Sequence, residues 1–235
     1  MSSISQRIDK LPATSLLKRV LFLTGIGWMF DAMDQGMVSG VMASIGKDWQ
    51  LKPPELGLLG SASAVGMAIG AAIAGMVSDR CGRRTVVTYT LILFGLASGL
   101  SAAAPNFELL LLFRFLTGLG LGGELPAAST LVSEFSPSKI RGRMVVYLES
   151  FWAWGWIIAA LIAYLLIPVY GWRIGFLLGG VPALYAAYLR KGIPESPRYL
   201  EQKGMLKEAD EIVTQMEQQA GIKNTETLSD RTNYG

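Results

Sequence analysis

Long apolar stretches alternate with short polar, charge-bearing ones along the chain as far as about residue 190. A helix needs roughly 20 mostly apolar residues to cross a bilayer. Six stretches reach that length: about 19–44, 56–77, 85–104, 107–131, 145–168 and 172–190. Lys52-Pro53-Pro54-Glu55 precedes the second, Pro105-Asn106 divides the third from the fourth, and Tyr170-Gly171-Trp172 divides the fifth from the sixth. Beyond them the pattern changes. Tyr199, Leu200, Leu206, Ala209, Ile212, Val213 and Met216 recur at helical spacing. That predicts one amphipathic helix over 199–220, lying along the membrane face. Residues 221–235 are polar and aperiodic, so a disordered tail is expected. The expected division is an N-terminal segment 1–18, a six-helix transmembrane bundle 19–190, a linker with its amphipathic helix 191–220, and the tail 221–235. The fold class is an all-α membrane protein.

Composition fits this reading, because 51% of the 235 residues are hydrophobic and only 17% are charged, against about 25% charged in soluble domains. The position of the charges sets an orientation. Arg7, Lys10, Lys18 and Arg19 precede the first span, and Arg80, Arg83 and Arg84 follow the second. Lys139, Arg141 and Arg143 follow the fourth, and Arg190, Lys191, Arg198, Lys203 and Lys207 follow the sixth. All fall on one side, while the other carries only Lys47, Lys52 and Arg173. Basic loops stay in the cytoplasm, so both termini are expected there, with the chain in the inner (plasma) membrane. The same rule accounts for the net charge of +3. No basic stripe or recognition motif points to nucleic acid. A lone cysteine, Cys81, excludes an internal disulfide framework, and the absence of histidine removes imidazole chemistry. No nucleophile–base pair, metal cluster or phosphate loop is present, so no enzyme activity, metal or cofactor is expected.

The candidate chemistry lies in the ionisable residues inside spans: Asp31 and Asp34 in the first, Arg114 and Glu124 in the fourth. Each unpaired charge in hydrocarbon costs roughly 2.5–3.5 kcal/mol on the lenient insertion scale, so each needs a partner or a watery cavity. Asp34 lies about 22 Å from the cytoplasmic end of its span, and Arg114 about 10 Å below the outer surface, at 1.5 Å rise per residue. In a core of about 30 Å these depths nearly coincide. The two can therefore pair, and Asp34, with Asp31 on the same helical face, is the candidate proton carrier. The rival reading is a pair that only aids assembly. Glu124 sits nearer the cytoplasmic third. In the fifth span Trp152 and Trp156 share a face near mid-depth, following Glu149. They offer an aromatic wall for a flat substrate, with packing against lipid as the equal alternative. Gln35, Glu124, Glu149, Trp152 and Trp156 form the candidate substrate-binding set. Gly66, Gly70 and Ala74, and likewise Gly118 and Gly122, recur every four residues, as in closely packed membrane helices. The second loop, from Gly75 through Asp79, Arg80, Gly82, Arg83 and Arg84, makes a charge-rich turn suited to interhelical salt bridges.

These motifs resemble the major facilitator superfamily. Gly75-x-x-x-Asp79-Arg80-x-Gly82-Arg83-Arg84 is similar to its signature between the second and third helices, and Arg114-x-x-x-Gly118-x-Gly120-x-Gly122 to its fourth-helix motif. Glu134-x-x-Pro137-x-x-x-Arg141-Gly142 and Pro194-Glu195-Ser196-Pro197-Arg198 look like sugar-porter elements after helices four and six. The resemblance covers about residues 15–210. It implies half of a twelve-helix fold, built as two inverted three-helix repeats. It also implies a proton-coupling pair at Asp34 and Arg114, and a cytoplasmic gate using Gly75, Asp79, Arg80, Gly82, Arg83, Arg84, Glu134 and Arg141. Phe30-Asp31-Ala32-Met33-Asp34 and Gly122-Gly123-Glu124-Leu125-Pro126 are similar to bacterial niacin and aromatic-acid symporters. The expected function is proton-coupled uptake of nicotinate or a related organic acid, with a sugar as the alternative substrate. A truncated or half-length form is expected, one that inserts but does not transport by itself and that would have to pair with a second six-helix half or another copy. The alternative is a non-transporting remnant or regulatory half.

Overall fold

The computed structural model describes residues 4–222; the last residues of the expected tail, 223–235, lie outside the described residues. The described chain is helical, with no strand among the described residues. Its helices are α1 (Ile4–Asp9), α2 (Ser15–Asp48), α3 (Pro53–Cys81), α4 (Arg83–Ser101), α5 (Phe107–Phe135), α6 (Arg141–Leu161), α7 (Ile167–Tyr170), α8 (Arg173–Leu178), α9 (Val181–Gly192), α10 (Pro197–Gln202) and α11 (Leu206–Gln219). A π-helical stretch, Ile162–Leu166, joins α6 to α7.

Local chemistry sets the boundaries. The Thr14 hydroxyl accepts from the Leu17 N–H at 3.2 Å and starts α2. Asn106 accepts from the Leu109 N–H at 3.0 Å and starts α5. In each case a side-chain oxygen satisfies one of the orphan donors at a helix start. Gly82 has φ of 96°, a left-handed conformation open to glycine, and it turns α3 directly into α4. Pro168 has no N–H to give to the preceding turn, which accounts for the π-helical stretch ahead of it.

Among the described residues, four helices are long and apolar enough to cross a membrane: Pro53–Cys81, Arg83–Ser101, Phe107–Phe135 and Arg141–Tyr170. The expectation of six is therefore met only in part. With 34 residues α2 has the length, but Asp31 and Asp34 dilute its apolar middle. The expected sixth span, 172–190, is not one helix. Its ladder is interrupted at Gly179-Gly180, where the Gly180 N–H bonds to the Leu177 carbonyl at 3.0 Å. Pro182, at the start of α9, donates nothing to the turn before it. The amphipathic helix over 199–220 is likewise two helices, α10 and α11, parted at Gly204 with φ of 76°. Its apolar face does not lie free for lipid. Ala209, Val213 and Met216 are fully buried, and Ala209 and Val213 pack with Ile4 and Ile8 of α1 and with Tyr199 and Leu200 of α10.

The tightest pairing is α3 on α5. A Cβ added at Gly66 or Gly70 would strike the Phe115 or Leu119 carbonyl, and one added at Gly118 or Gly122 would strike the Ser63 or Met67 carbonyl. The two small-residue stripes thus face each other, backbone to backbone, as close membrane helices do. By contrast α2 lies along α6, with Gly155 against the Met29 carbonyl and Ala32. Two apolar clusters fill the bundle. One surrounds Leu17, Leu91, Phe94, Leu131 and Phe135, and the other Met37, Val41, Leu110, Trp172 and Phe176. The outer faces of the bundle are apolar too, with Val65, Ile69, Leu96, Leu161, Tyr164 and Leu184 exposed. Monomeric soluble proteins rarely show such continuous apolar surface, and lipid accommodates it.

Candidate functional site

Midway along α2, Asp34 faces Arg114 of α5. Arg114 Nη2 donates to Asp34 Oδ2 at 2.8 Å, and both side chains are 1% exposed. The Ser98 hydroxyl of α4 donates to the other oxygen, Asp34 Oδ1, at 2.6 Å. The guanidinium lies 5.0 Å from the Phe176 ring centroid of α8. Gly179 roofs the pair, since a Cβ there would sit 3.0 Å from Asp34 Oδ1 and would strike the Ser98 hydroxyl. The break between α8 and α9 thus falls where the backbone must approach the ion pair. Arg114 Nε and Nη1 are buried without a partner among the described residues, which leaves two donors for a further anion.

Asp31 is fully buried, and neither of its carboxyl oxygens has a hydrogen-bond partner among the described residues. Glu124 is also fully buried. One of its oxygens accepts from the Thr90 hydroxyl at 2.7 Å, and the other is unpartnered. The unpartnered one would lie 2.9 Å from a Cβ at Gly27, so Glu124 reaches across to α2, one turn before Asp31.

A groove of about 630 Å³ opens between α2, α3, α5 and α6. Gln35, Glu149 and Trp152, all from the expected substrate set, line it with Trp28, Met67 and Pro126. Trp28 and Trp152 stack with centroids 4.7 Å apart and planes 35° apart, and Trp28 Nε1 donates to Glu149 Oε2 at 3.3 Å. Two members of the expected set lie elsewhere. Trp156 does not line the groove; it is half exposed and its ring rests beside Gly36. Glu124 is turned into the interior toward Gly27. The aromatic wall is made by Trp152 with Trp28 of a different helix. An aromatic partner on α2 could not be inferred from spacing within the fifth span.

The charged motif at the turn between α3 and α4 forms one cluster around Arg83. Its guanidinium bonds to Glu134 Oε1 at 3.0 Å, to Asp79 at 3.0 Å and to the Ser78 carbonyl at 2.8 Å, and lies 5.1 Å from the Tyr199 ring centroid. Glu195 Oε1 accepts from the N–H groups of Arg83 and Arg84 at 3.0 and 3.1 Å. A carboxylate there satisfies the orphan donors at the N-terminus of α4 and opposes its dipole. Gly82 is needed for this contact, since a Cβ would strike the Glu195 carboxylate. Arg84 Nη2 donates to the Arg190 carbonyl at 2.6 Å, and the Arg80 carbonyl accepts from the Tyr199 hydroxyl at 2.7 Å. Arg141 lies 3.8 Å from Asp9, and Arg198 reaches the same carboxylate at 3.0 Å. Gly75 stands apart, with nothing within 4 Å of an added Cβ. Farther out, Arg7 of α1 pairs with Asp210 and with Glu217 of α11. The hydrogen bond to Glu217 is the largest of the effects that hold the Arg7 guanidinium well above its ordinary pKa. Asp9, Ser98, Gly179 and Tyr199 complete these arrangements, and nothing in the sequence pattern marks them as site residues.

A protein-family model described as sugar (and other) transporter matches residues 34–231. Over 222 residues the chain is 48% identical to the niacin transporter NiaP of Acinetobacter baylyi, covering 94% of this chain and 51% of that protein. Over 194 residues it is 36% identical to the 4-hydroxybenzoate transporter PcaK of Pseudomonas aeruginosa, covering 82% and 43%. Among solved structures, it superposes on a partially occluded inward-open xylose transporter XylE from E. coli with a TM-score of 0.74, at 22% identity, covering 86% of this chain and 55% of that one. The chain thus spans about half the length of the curated relatives it matches.

Proposed function

Since the chain belongs to the sugar (and other) transporter family, within the major facilitator superfamily, and is a multi-pass membrane protein, we propose that it is one six-helix half of a proton-coupled uptake system for a small organic acid, nicotinate or a related aromatic acid. In this reading α2 is the first span despite its two acids. The pair α8–α9 is the sixth, broken where it crosses the ion pair. The half then consists of two inverted three-helix repeats, with Asp34 and Arg114 each in the first helix of its repeat. Both termini face the cytoplasm, as the distribution of basic residues favours.

The observation that carries the reading is the buried Asp34–Arg114 pair. Beside a guanidinium, a carboxylate stays ionised. A substrate carboxylate that captures the unpartnered Arg114 donors frees Asp34 to take up a proton, and the interior stays neutral as substrate and proton move together. The groove supplies the other half of recognition. Trp28 and Trp152 offer a flat apolar surface, while Gln35 and Glu149 offer polar contacts at its rim. The Arg83 cluster holds the cytoplasmic ends of α3, α4 and α5 to the linker, so its release is the natural accompaniment of opening on that side. Transporters of this kind hold substrate between two halves near the midplane. We assign the second wall to a further six-helix half.

Uptake of labelled nicotinate tests the reading in cells lacking their own nicotinate uptake. The chain is expressed alone, and together with the C-terminal six-helix half of the Acinetobacter baylyi relative. Uptake is expected in the second case, with loss on collapse of the pH gradient and on Asp34→Asn. Uptake indifferent to both treatments would falsify the coupling. Countertransport by benzoates or sugars but not by nicotinate would displace the substrate.

A further inference from the structure

The groove does not use Glu124, and the ion pair does not use Asp31. Yet these two carboxyls are fully buried, on facing helices, with three of their four oxygens unpartnered among the described residues. An ionised carboxylate without a partner in a low-dielectric interior costs several kcal/mol, and such a group ordinarily neutralises instead. Among the described residues no cation acts on either. Asp34, one turn along α2, is already taken by Arg114 and Ser98. The charged groups that act on Asp31 are Glu124 and Asp34, both acids. From α4, Thr90 gives its hydroxyl to one oxygen of Glu124. From α9, Tyr185 lies within electrostatic reach of Glu124, but its hydroxyl donates to the Leu23 carbonyl at 2.7 Å. From α6, Glu149 is bonded to Trp28 in the groove. The phenyl face of Phe176 on α8 covers Arg114.

We propose that Asp31 and Glu124 form a second proton-holding site, loaded in this arrangement and separate from the Asp34–Arg114 pair. Glu124 then belongs to the proton path rather than to the substrate groove. The inference rests on the proton-coupled reading and extends it. Gly27, Asp31 and Asp34 follow one another on one face of α2 at spacings of four and three, and Glu124 reaches the level of Gly27. The three carboxyls therefore descend the interior toward the cytoplasmic end of α2, about one helical turn at a time. When a substrate anion takes Arg114, Asp34 is protonated from the outer side. Once the cytoplasmic end opens, the Glu124 O–H bond breaks and its proton goes to water. Asp31 then passes its proton to Glu124, and Asp34 passes its own to Asp31, which leaves Asp34 ionised for Arg114 and the lower two carboxyls loaded again. A hard cation is the other neutraliser, but such ions collect about six oxygens or more, and only three are unpartnered here.

Infrared difference spectroscopy of the full chain in lipid nanodiscs decides the matter, because a protonated carboxyl has its own carbonyl stretch. At neutral pH the unsubstituted chain is expected to show buried protonated-carboxyl absorption that persists when sodium is replaced by choline. Asp31→Asn and Glu124→Gln should each remove a part of it, and Asp34→Asn should remove none. Both neutral substitutions mimic the loaded state, so neither should lower the melting temperature. Absence of that absorption in the unsubstituted chain overturns the proposal without any variant. Absorption that appears only when sodium is withdrawn overturns it too, in favour of a bound cation. Failure of the proton-coupled reading looks different: uptake survives Asp34→Asn while the infrared band remains.

Discussion

At the scale of single residues, the site is organised by where charge is allowed to stay. Asp34 has a guanidinium on one oxygen and a hydroxyl on the other. Removing its charge leaves Arg114 buried with nothing opposite. Breaking a buried ion pair from one side costs about 3–5 kcal/mol, whereas removing both charges is often nearly neutral. Asp34→Asn is therefore expected to lower the melting temperature of the chain in lipid, and Asp34→Asn with Arg114→Gln to restore most of it. A double variant as unstable as the single one would mean that the pair matters by shape rather than by charge. The sequence made this pair legible, because an acid and a base in apolar spans stand out and their heights can be counted. It did not reveal Ser98 or Gly179. A serine and a glycine in an apolar run carry no mark of what faces them, and that depends on how three other helices pack.

At the scale of elements, glycine marks two different kinds of surface. Gly70 lies where α5 presses its backbone onto α3, so a methyl group there meets the Leu119 carbonyl. Gly75, five residues on in the same helix, would meet nothing within 4 Å. Gly70→Ala should force the helices apart and cost about 1–3 kcal/mol, as overpacking does. Gly75→Ala should stabilise the chain by about 0.5–1 kcal/mol, the ordinary gain of alanine over glycine within a helix. Thermal melts of the two variants in nanodiscs check the contrast, and equal destabilisation by both would remove it. The four-residue spacing made the α3–α5 contact legible. Hydropathy hid the break between α8 and α9, because Gly179, Gly180 and Pro182 sit among apolar residues and leave the average unchanged. It also hid the division of the linker helix at Gly204, since helical spacing continues across the turn. Spacing along that helix likewise carries no sign that Ile4 and Ile8 of α1 cover its apolar face.

At the scale of the whole molecule, orientation is the property on which the direction of transport depends. The basic clusters converge at one end of the bundle, where Arg83 gathers Asp79, Glu134 and Tyr199, and α1, α10 and α11 pack beneath it. If that end is cytoplasmic, Asp34 takes its proton from outside and the carboxyl ladder empties inward, which gives uptake. The opposite placement turns the same parts into an exporter. Cys81 is the chain's sole cysteine, and it is exposed in the last turn of α3, beside the Arg83 cluster. A membrane-impermeant maleimide should therefore leave intact cells unlabelled and label inside-out vesicles. Labelling of intact cells would place the cluster outside and reverse the direction of the proposed cycle. The reagent also tests assembly, since a second half that closes over the Cys81 end of α3 should slow the labelling of vesicles when the two are expressed together. An unchanged rate would mean that the second half meets this one elsewhere, along the groove rather than at the gate.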